Sequence, residues 1–583
     1  MTYQVITATL KARTAIHIGS GRGNDLTDAL IRRDAQGRPF IPGTAIAGAL
    51  RTLLTRLAPR LELENNKLCA ALTGSGTSCD CPVCRLFGDI NPSDREDADS
   101  RTSRVLVFNA YLRSNSCRPL IRDGVGIDRV TGAAARAGSV KFDLEVLPAG
   151  AEFELRIELR DTDEQDKDEQ GKQLLAAGLA EWQAGRLWLG GRVARGLGAF
   201  DLDNLEFKEL PLDTPERVLD YLKADEPWKI ATPQTQWLED KVGAVQSRIQ
   251  PINGNLPKAV VRYWVIIEGT LQAEGPLLTN DALVSGRSGF DHAPLLAQVG
   301  DWRHPVLTGA GLRGVLRSHA ERIARTLTTL QVWDSTQDSG QRERFFLIGC
   351  SACSPVESRL DAPLASCDAL LKEAKVPSDA LISDEQLCLA CRLFGSTRRG
   401  SRLIVEDAPY AGERPPMLKM FDFLAIDRFT GGGKDGAKFD ALALWKPAFT
   451  LRLYLENPQE WELGWLALVL RDLEEGWLSV GFGAAKGFGR VRLQDWTATF
   501  GYLMPEDLPA GLDAPDIPDE SGLFKTTILQ GGTKDWQTIA QRWAGKFQEE
   551  VHGFERTKLP PLKTDSYFGK VNRLYPVLKG VAS

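Results

Sequence analysis

Cysteines give this sequence its most specific chemical signal. Both halves of the chain hold a Cys-x-x-Cys-Arg-Leu-Phe-Gly segment, at 81–88 and 388–395. Two Cys-x-x-Cys pairs are typical of a structural zinc site, because each pair can place both thiolates on one tetrahedral ion. The candidate ligands in the second half are Cys350, Cys353, Cys388 and Cys391. A looser set in the first half comprises Cys69, Cys79, Cys81 and Cys84. We predict one structural Zn²⁺ per half. The alternative is buried free thiols, which is how we interpret Cys117 and Cys367.

Two aspartates stand before short apolar segments at matching places in the two halves. Asp28 precedes Ala-Leu-Ile, and Asp291 precedes His-Ala-Pro-Leu-Leu. A carboxylate beside a phosphodiester can bind Mg²⁺ or help to move the proton of a 2′-hydroxyl group. Asp25 and Asp281 compete for the same role, because the loop lengths differ between the halves. By residue type alone, these are simply loop aspartates.

Cationic and hydroxyl side chains recur beside glycines and helix starts. Glycines let backbone N–H groups approach a phosphate closely, and helix N-termini favour anions. The glycine-rich segments contribute Arg192, Arg195, Lys486 and Arg490. The helix starts contribute Thr44, Arg51, Thr308, Arg313 and Arg317. These residues are candidate RNA contacts, although tight turns and helix caps with solvated arginines would show the same pattern.

Four landmarks recur in the same order, so the chain is a tandem duplication. They are a Gly/Pro-rich turn before a helix (39–51 and 305–317), the cysteine segment, Ile-Asp-Arg-x-Thr-Gly followed by Lys-Phe-Asp (127–143 and 426–440), and a glycine-rich segment (190–198 and 481–489). We place the first copy at 1–210, a linker at 211–255, the second copy at 256–497 and a C-terminal extension at 498–583. The extension shows no internal counterpart in sequence.

The elements that must position these residues are strands interleaved with two helices in each copy. Periodicity predicts helices at 43–57 and 309–328 and strands at 150–160 and 448–455. This order indicates an α+β fold of two tandem ferredoxin-like, RRM-like modules with long insertions.

Charge and hydropathy exclude some functional classes. The formal net charge is -6, so nucleic-acid binding must be local rather than spread over the whole surface. The N-terminus lacks the features of a signal peptide, and no stretch approaches the roughly 18 apolar residues needed to span a bilayer. We expect a cytoplasmic protein with reduced cysteines and no membrane partner.

Taken together, the motifs resemble those of the RAMP backbone subunits of type III CRISPR effector complexes. The resemblance rests on Ile-Gly-Ser-Gly at 18–21, Asp28, Ile-Pro-Gly-Thr at 41–44, and the shared cysteine, Ile-Asp-Arg and glycine-rich segments. Two fused modules look like the double-backbone subunit of type III-D-like effectors. The resemblance implies two RAMP modules, each with an inserted thumb hairpin and a zinc knuckle.

The resemblance also implies a function. Such subunits bind the guide RNA along its phosphates and cut guide-paired target RNA at regular intervals, by attack of a 2′-hydroxyl group. The catalytic aspartate falls on Asp28 and Asp291, with Mg²⁺ or Mn²⁺ as the metal for cleavage, and Arg129 and Arg428 fall on the thumbs. The implied partners are the guide RNA, a single-stranded target RNA and other effector subunits: a large polymerase-like subunit, further backbone subunits and small subunits.

Three alternatives remain at this point. The first is a scaffold of the same fold without chemistry in one or both copies. The second is a guide-processing ribonuclease, which the scarcity of repeated histidines disfavours. The third is an unrelated zinc enzyme, which would need an open coordination position that all-cysteine sets do not offer.

Overall fold

The chain folds into two similar mixed α+β halves, as seen in a computed structural model. The structure describes residues 2–555 except 26, 64–67, 74–78, 90–100, 114–116, 130–131, 136–140, 162–164, 252–255, 282, 286–288, 300–301, 358–363 and 516–521. The basic segment after Glu555 therefore lies outside the described residues. Within them, no helix is long and apolar enough to cross a membrane.

The first copy contains eight strands and four α-helices among its described residues. The strands are β1 Thr2–Ala12, β2 Phe40–Ile41, β3 Val105–Val107, β4 Ala110–Tyr111, β5 Leu120–Val125, β6 Lys141–Val146, β7 Glu152–Leu159 and β8 Phe200–Pro211. The helices are α1 Gly43–Leu57, α2 Ala70–Thr73, α3 Pro82–Phe87 and α4 Gln165–Gln183.

The linker contains one short strand and three helices, and the second copy repeats the pattern of the first. The linker elements are α5 Pro215–Lys223, α6 Pro227–Ile230, β9 Thr232–Pro233 and α7 Trp237–Gln246. The strands of the second copy are β10 Tyr263–Ala273, β11 Pro276–Leu277, β12 Leu296–Val299, β13 Trp302–Leu307, β14 Leu403–Val405, β15 Ala408–Pro409, β16 Leu418–Ile426, β17 Gly433–Trp445, β18 Ala448–Glu456 and β19 Val491–Tyr502. Its helices are α8 Gly309–Ser335, α9 Ser339–Gly349, α10 Cys367–Glu373, α11 Leu389–Phe394 and α12 Glu460–Glu474. The extension adds β20 Lys525–Gln530 and α13 Lys534–His552.

Each copy is built on a five-stranded antiparallel sheet. The strand orders are β3-β7-β1-β8-β9 and β14-β18-β10-β19-β20, so every strand of one sheet has a counterpart in the other. Successive side chains of a strand point to opposite faces. In β1 the residues Ile6, Ala8 and Leu10 accordingly join the core that α1 and α4 cover.

The fifth strand of each sheet comes from outside the repeated motifs. The linker strand β9 pairs with β8, and β20 of the extension pairs with β19. A helix follows in both cases: Trp237 of α7 stacks on Phe207 at 4.4 Å, and Phe547 of α13 stacks on Trp465 at 4.8 Å. The extension therefore has a structural counterpart in the linker, which the sequences did not show because the two segments share no motif.

Each copy also has an antiparallel hairpin outside its five-stranded sheet, and we call these the first and second thumb hairpins. The first is β5–β6, and the second is β16–β17, to which β11 adds a third strand. In both, the Lys-Phe-Asp motif lies on the returning strand, so that Asp143 and Asp440 take matching places, opposite Asp123 and Asp422.

Candidate functional site

Asp28 lies against the returning strand of the first thumb hairpin. The backbone N–H of Asp143 donates to the Asp28 carboxylate at 2.8 Å, and the N–H of Glu145 donates to the carbonyl oxygen of Ala29 at 2.9 Å. The Glu145 side chain then accepts from the N–H of Ile31 at 2.9 Å. The loop is thus held by backbone contacts on the hairpin, while the Asp28 side chain remains exposed.

Asp291 occupies the same place on the second thumb hairpin. The N–H of Asp440 donates to the Asp291 carboxylate at 2.9 Å, and the N–H of Leu442 donates to the carbonyl oxygen of His292 at 2.9 Å. Asp291 also donates its own N–H to the Asp440 carboxylate at 2.8 Å. Although the loop of the second copy is longer, Asp291 therefore lies at the position equivalent to that of Asp28.

The two alternative aspartates lie elsewhere. The Asp281 carboxylate accepts from the N–H groups of Leu283 and Val284 at 3.0 and 3.3 Å, which is a local turn rather than a contact with the hairpin. Asp25 is exposed three residues before Asp28. Among the described contacts, neither carboxylate binds the Lys-Phe-Asp strand, which distinguishes both from Asp28 and Asp291.

The glycine-rich segment of the first copy brings cations beside Asp28. The guanidinium of Arg192 lies 4.2 Å from the ring centre of Phe142, and that of Arg195 lies 5.8 Å from it. Burial, together with the charge of Arg195, lowers the pKa of Arg192, whereas the charge of Asp28 raises it. Arg192 has a φ of 62°, in the left-handed region that disfavours a side chain by about 1 kcal/mol. A strained arginine kept beside an exposed carboxylate points to a functional role.

The second copy surrounds its aspartate with different side chains. The ammonium of Lys486 lies 5.6 Å from the ring centre of Phe439 and 5.5 Å from that of Phe482. His292, which follows Asp291, packs its ring 4.4 Å from Phe482. Ala29 stands at the position of His292 in the first copy, so the two sites share the carboxylate and a nearby cation but not their other neighbours.

A cluster of arginines lies where the two copies meet. Burial and the charges of Arg317 and Arg195 lower the pKa of Arg313 to about 9. Arg313 lies near the N-terminus of α8, where Thr308 caps the helix by accepting from the N–H of Gly311 at 3.2 Å. Helix N-termini and like-charged guanidiniums both favour an anion. The Arg313 guanidinium also donates to the carbonyl oxygen of Phe394.

Two predicted RNA contacts prove to lie against cysteines. Arg51 donates to the Cys84 sulfur at 3.3 Å, and Arg317 donates to the Cys391 sulfur at 3.5 Å. Arg317 is buried and also binds Glu321 at 2.8 Å. The two arginines occupy matching places in α1 and α8, so both side chains lie at the cysteine groups.

Both predicted cysteine sites come together, with one change of ligand. Each group has four sulfur atoms within 4.8 Å of one another and could hold a metal ion: Cys69, Cys79, Cys81 and Cys84 in the first copy, and Cys353, Cys367, Cys388 and Cys391 in the second. Cys367, at the start of α10, thus replaces the predicted Cys350, whose thiol donates to the carbonyl oxygen of Ala352 at 3.3 Å. The expectation that Cys367 is an ordinary thiol was wrong. The signal that could have found it is Cys69, which is also a cysteine outside a pair.

The remaining predicted contacts fall into two classes. Thr44 is exposed at the start of α1, where the N–H of Gly43 donates to the side chain of Asn109 at 3.0 Å, and Arg428 and Lys486 are exposed as well. Arg129 instead binds the buried carboxylate of Glu321 at 2.8 Å. Arg490, although half-exposed, pairs with Glu274 at 2.9 Å and donates to the carbonyl oxygen of Gly476.

Comparison with known families shows which family the two copies belong to. The model of the RAMP superfamily matches residues 9–201 and 270–492, one segment in each copy. The chain belongs to the RAMP superfamily. Its RAMP segments coincide with the two sets of repeated motifs, so this is a double-module RAMP chain.

Two curated relatives of about one module's length are both called CRISPR system Cms endoribonuclease Csm3. The protein of Methanothermobacter thermautotrophicus is 25% identical over 235 residues, covering 36% of this RAMP chain and 87% of the relative. That of Methanocaldococcus jannaschii is 27% identical over 222 residues, covering 36% of this chain and 79% of the relative.

Proposed function

We propose that this chain is a guide-RNA-binding backbone subunit of a type III CRISPR effector complex, of the type III-D-like double-module kind, and that it cleaves target RNA paired to the guide. The observation that carries the proposal is the matched placement of Asp28 and Asp291, each exposed and held by the backbone of a thumb hairpin. The names of the two relatives support the reaction class. The partners in this proposal are the guide RNA, a single-stranded target RNA and other subunits of the complex in the cytoplasm: the large polymerase-like subunit, further backbone subunits and small subunits.

Each module is proposed to be ferredoxin-like. The core strands in chain order are β1, β3, β7 and β8, with α1 after the first and α4 after the third. Their order in the sheet, β3-β7-β1-β8, is the one that a split βαβ arrangement gives. The thumb hairpins and cysteine segments are then insertions into this core.

The guide backbone is proposed to follow the cationic side chains at the junction and in the glycine-rich segments. Arg195, Arg313 and Lys486 supply charge without sequence preference, and base pairing to the guide supplies the specificity. A net charge of -6 is compatible with this role, because the cations need only be local.

Cleavage is proposed to proceed by attack of a 2′-hydroxyl oxygen on the neighbouring phosphorus, which expels the 5′-oxygen and leaves a cyclic phosphate. The exposed carboxylates of Asp28 and Asp291 lie where they can accept the hydroxyl proton or hold a divalent cation. A bound Mg²⁺ or Mn²⁺ would stabilise the charge that develops on the phosphoryl oxygens. Arg192 in the first copy and Lys486 in the second are proposed to bind the phosphate at each cut.

The two groups of four cysteines are proposed to be structural zinc sites, one per module. Four thiolates form a closed tetrahedral set without a position for substrate. Hydrogen bonding to Cys353 raises the pKa of Cys367 and Cys391, so binding of the metal must release protons from these thiols.

The function can be tested with the assembled complex and an RNA complementary to the guide. We expect two cuts at a fixed spacing, loss of both with EDTA, and recovery with Mg²⁺ or Mn²⁺. Binding of the guide should persist in EDTA. A complex that binds the target but leaves it intact with either metal would show that the chain is a scaffold, which is the alternative function.

A further inference from the structure

The first thumb hairpin rests on the second copy through a buried ion pair. The guanidinium of Arg122, in β5, lies 2.7 Å from the carboxylate of Asp407, and both side chains are less than 10% exposed. Asp407 uses its other oxygen to accept the N–H of Gly309 at 2.8 Å, at the start of α8. The hairpin is therefore held by a carboxylate that is itself fixed to the backbone of the second copy.

A second contact lies near the tip of the same hairpin. Arg129, in the Ile-Asp-Arg motif, donates to Glu321 of α8 at 2.8 Å. Glu321 is fully buried, and its other oxygen accepts from Arg317 at 2.8 Å. Arg325 lies 3.7 Å away. A fully buried carboxylate among three guanidiniums has little freedom to move, because losing any one contact leaves charge unpaired in the interior.

Apolar packing continues this contact along the hairpin. Leu120 of β5 packs against the cluster of Leu295, Ala297 and Val306 in the second copy. The returning strand of the hairpin binds Asp28 through the N–H of Asp143. A continuous set of contacts thus runs from the second copy, through the first thumb hairpin, to the aspartate of the first copy.

The second thumb hairpin has no such support among the described residues. Arg428, the counterpart of Arg129, is exposed, and the side chain of Phe429 beside it is 100% exposed. Met420, Leu424 and Ile426 along β16 are also exposed. Asp291 therefore sits on a hairpin whose described support comes from its own module, where Phe421 and Phe423 pack against Phe488.

We propose that Asp407 and Glu321 of the second copy are positioning residues for the first thumb hairpin, and through it for Asp28. The cut that depends on Asp28 is then set by the second copy, whereas the cut that depends on Asp291 does not need these two carboxylates. This inference rests on the proposed function, because it assigns one cut to each aspartate.

A double-mutant cycle in the assembled complex tests the Glu321 contact. We compare Arg129→Ala, Glu321→Gln and the double variant, and we measure both products of one target RNA. Because an error of about 1 Å in position can cost a hundredfold in rate, we expect the Asp28-dependent cut to slow about tenfold or more in each single variant. The Asp291-dependent cut should keep its rate, and the double variant should be no slower than the worse single variant. Glu321→Asp should recover part of the lost rate.

Glu462→Gln is the matched control. Glu462 is also fully buried, and it binds Arg402 at 2.7 Å, but it lies in α12 away from both hairpins. We expect this variant to leave the ratio of the two cuts unchanged, whatever its effect on overall stability. Equal slowing of both cuts in Glu321→Gln would show a merely structural role and overturn the proposal. Slowing in Arg129→Ala alone would also overturn it, because Arg129 would then act on RNA rather than through Glu321.

Amide hydrogen exchange supplies a readout that does not depend on cleavage. In Glu321→Gln and Asp407→Asn we expect faster exchange in β5–β6 and unchanged exchange in β16–β17. If the wild-type complex cuts no RNA, the proposed function fails while exchange still decides the positioning role. Unchanged exchange in β5–β6 would overturn the positioning role even if both cuts occur.

Discussion

The two copies hold their aspartates in the same way but hold their thumb hairpins differently. Asp28 and Asp291 accept the same backbone N–H of the Lys-Phe-Asp strand, at 2.8 and 2.9 Å. The first hairpin is buried against the second copy, and the second hairpin is exposed along one strand. Duplication thus conserved the site within each module, while the surface that one module offers to the next diverged.

The contact between the copies shows this divergence in single residues. Arg13 binds Glu406 at 2.9 Å, and the indole of Trp188 donates to the same carboxylate at 3.1 Å. In the first copy Phe108 stands at the position of Glu406, with Arg156 stacked 3.7 Å above its ring. The first copy therefore lacks a carboxylate at the position where Glu406 of the second copy binds Arg13 and Trp188. The matching surfaces of the two copies are not interchangeable.

The cysteine sites provide the largest expected difference between the copies. The second group is entirely buried in the main core, whereas Cys79 of the first group is half-buried. We expect Cys391→Ser to prevent stable folding of the second copy, because binding of a structural zinc can contribute about 10 kcal/mol to folding. Cys79→Ser should lower the melting temperature without loss of soluble protein. Metal analysis and calorimetry measure both, and equal losses in the two variants would contradict the difference.

A buried and an exposed ion pair of the first copy give the next largest difference in stability. Arg60 of the first copy binds Asp507 of the C-terminal extension at 2.8 Å, with side chains 0% and 2% exposed. Arg60→Ala should cost about 3–5 kcal/mol, since it leaves a buried carboxylate unpaired. Arg113→Ala, which removes an exposed pair with Glu154 in the first copy, should cost under about 1 kcal/mol. Denaturant titration checks both values, and similar costs would show that the contact between the first copy and the extension is weaker than its geometry indicates.

Two glycines at equivalent positions in the two copies provide the next comparison, with a smaller expected loss of stability. Gly196 and Gly487 both have positive φ, 96° and 82°. A Cβ at Gly196 would lie 2.7 Å from the backbone nitrogen of Asp407, whereas a Cβ at Gly487 meets nothing within 4 Å. Backbone strain should lower the unfolding free energy of both alanine variants by about 1 kcal/mol. The clash at Gly196→Ala should lower it by about 1–3 kcal/mol more. Comparable unfolding free energies for the two variants would mean that the contact between Gly196 and the backbone of the second copy can open at little cost in stability.

Much of this architecture could be predicted from the sequence because it is local. The predicted helix at 43–57 matches α1, and the predicted start at 309 matches α8, although α8 runs on to Ser335 rather than ending at 328. Both depend on apolar spacing and a Gly/Pro-rich turn, which act within a few residues.

The contacts between distant segments could not be predicted in the same way. Arg129 was expected to touch RNA, and it binds Glu321, 192 residues away. A repeated motif shows that a residue is kept in both copies but not whether RNA or protein is its partner. Cys367 was missed for a similar reason, since α10 brings it to the site from outside any Cys-x-x-Cys pair.

The smallest expected effect concerns the pH dependence of the first thumb hairpin. Burial and the hydrogen bond and charge of Asp143 raise the pKa of Asp123 to about 6. Because the folded-state pKa is higher than the unfolded value of about 3.9, this contribution to stability is complete below about pH 4 and is lost as the pH rises through about 6. Asp123→Asn should remove this dependence, with slower hydrogen exchange in β5–β6 at pH 8 than the wild type. A wild-type hairpin with equal exchange protection at pH 5 and pH 8, after correction for intrinsic rates, would contradict this.

The most direct test of the central claim is a cut map of one guide-matched target RNA with single aspartate variants of the assembled complex. We predict that Asp28→Ala removes one cut, that Asp291→Ala removes the other, and that the double variant binds the target without cutting it. Asp25→Ala and Asp281→Ala should keep both cuts, since neither carboxylate contacts a thumb hairpin strand in the described structure. Two normal cuts in the double variant would contradict the claim that these aspartates form the two catalytic sites.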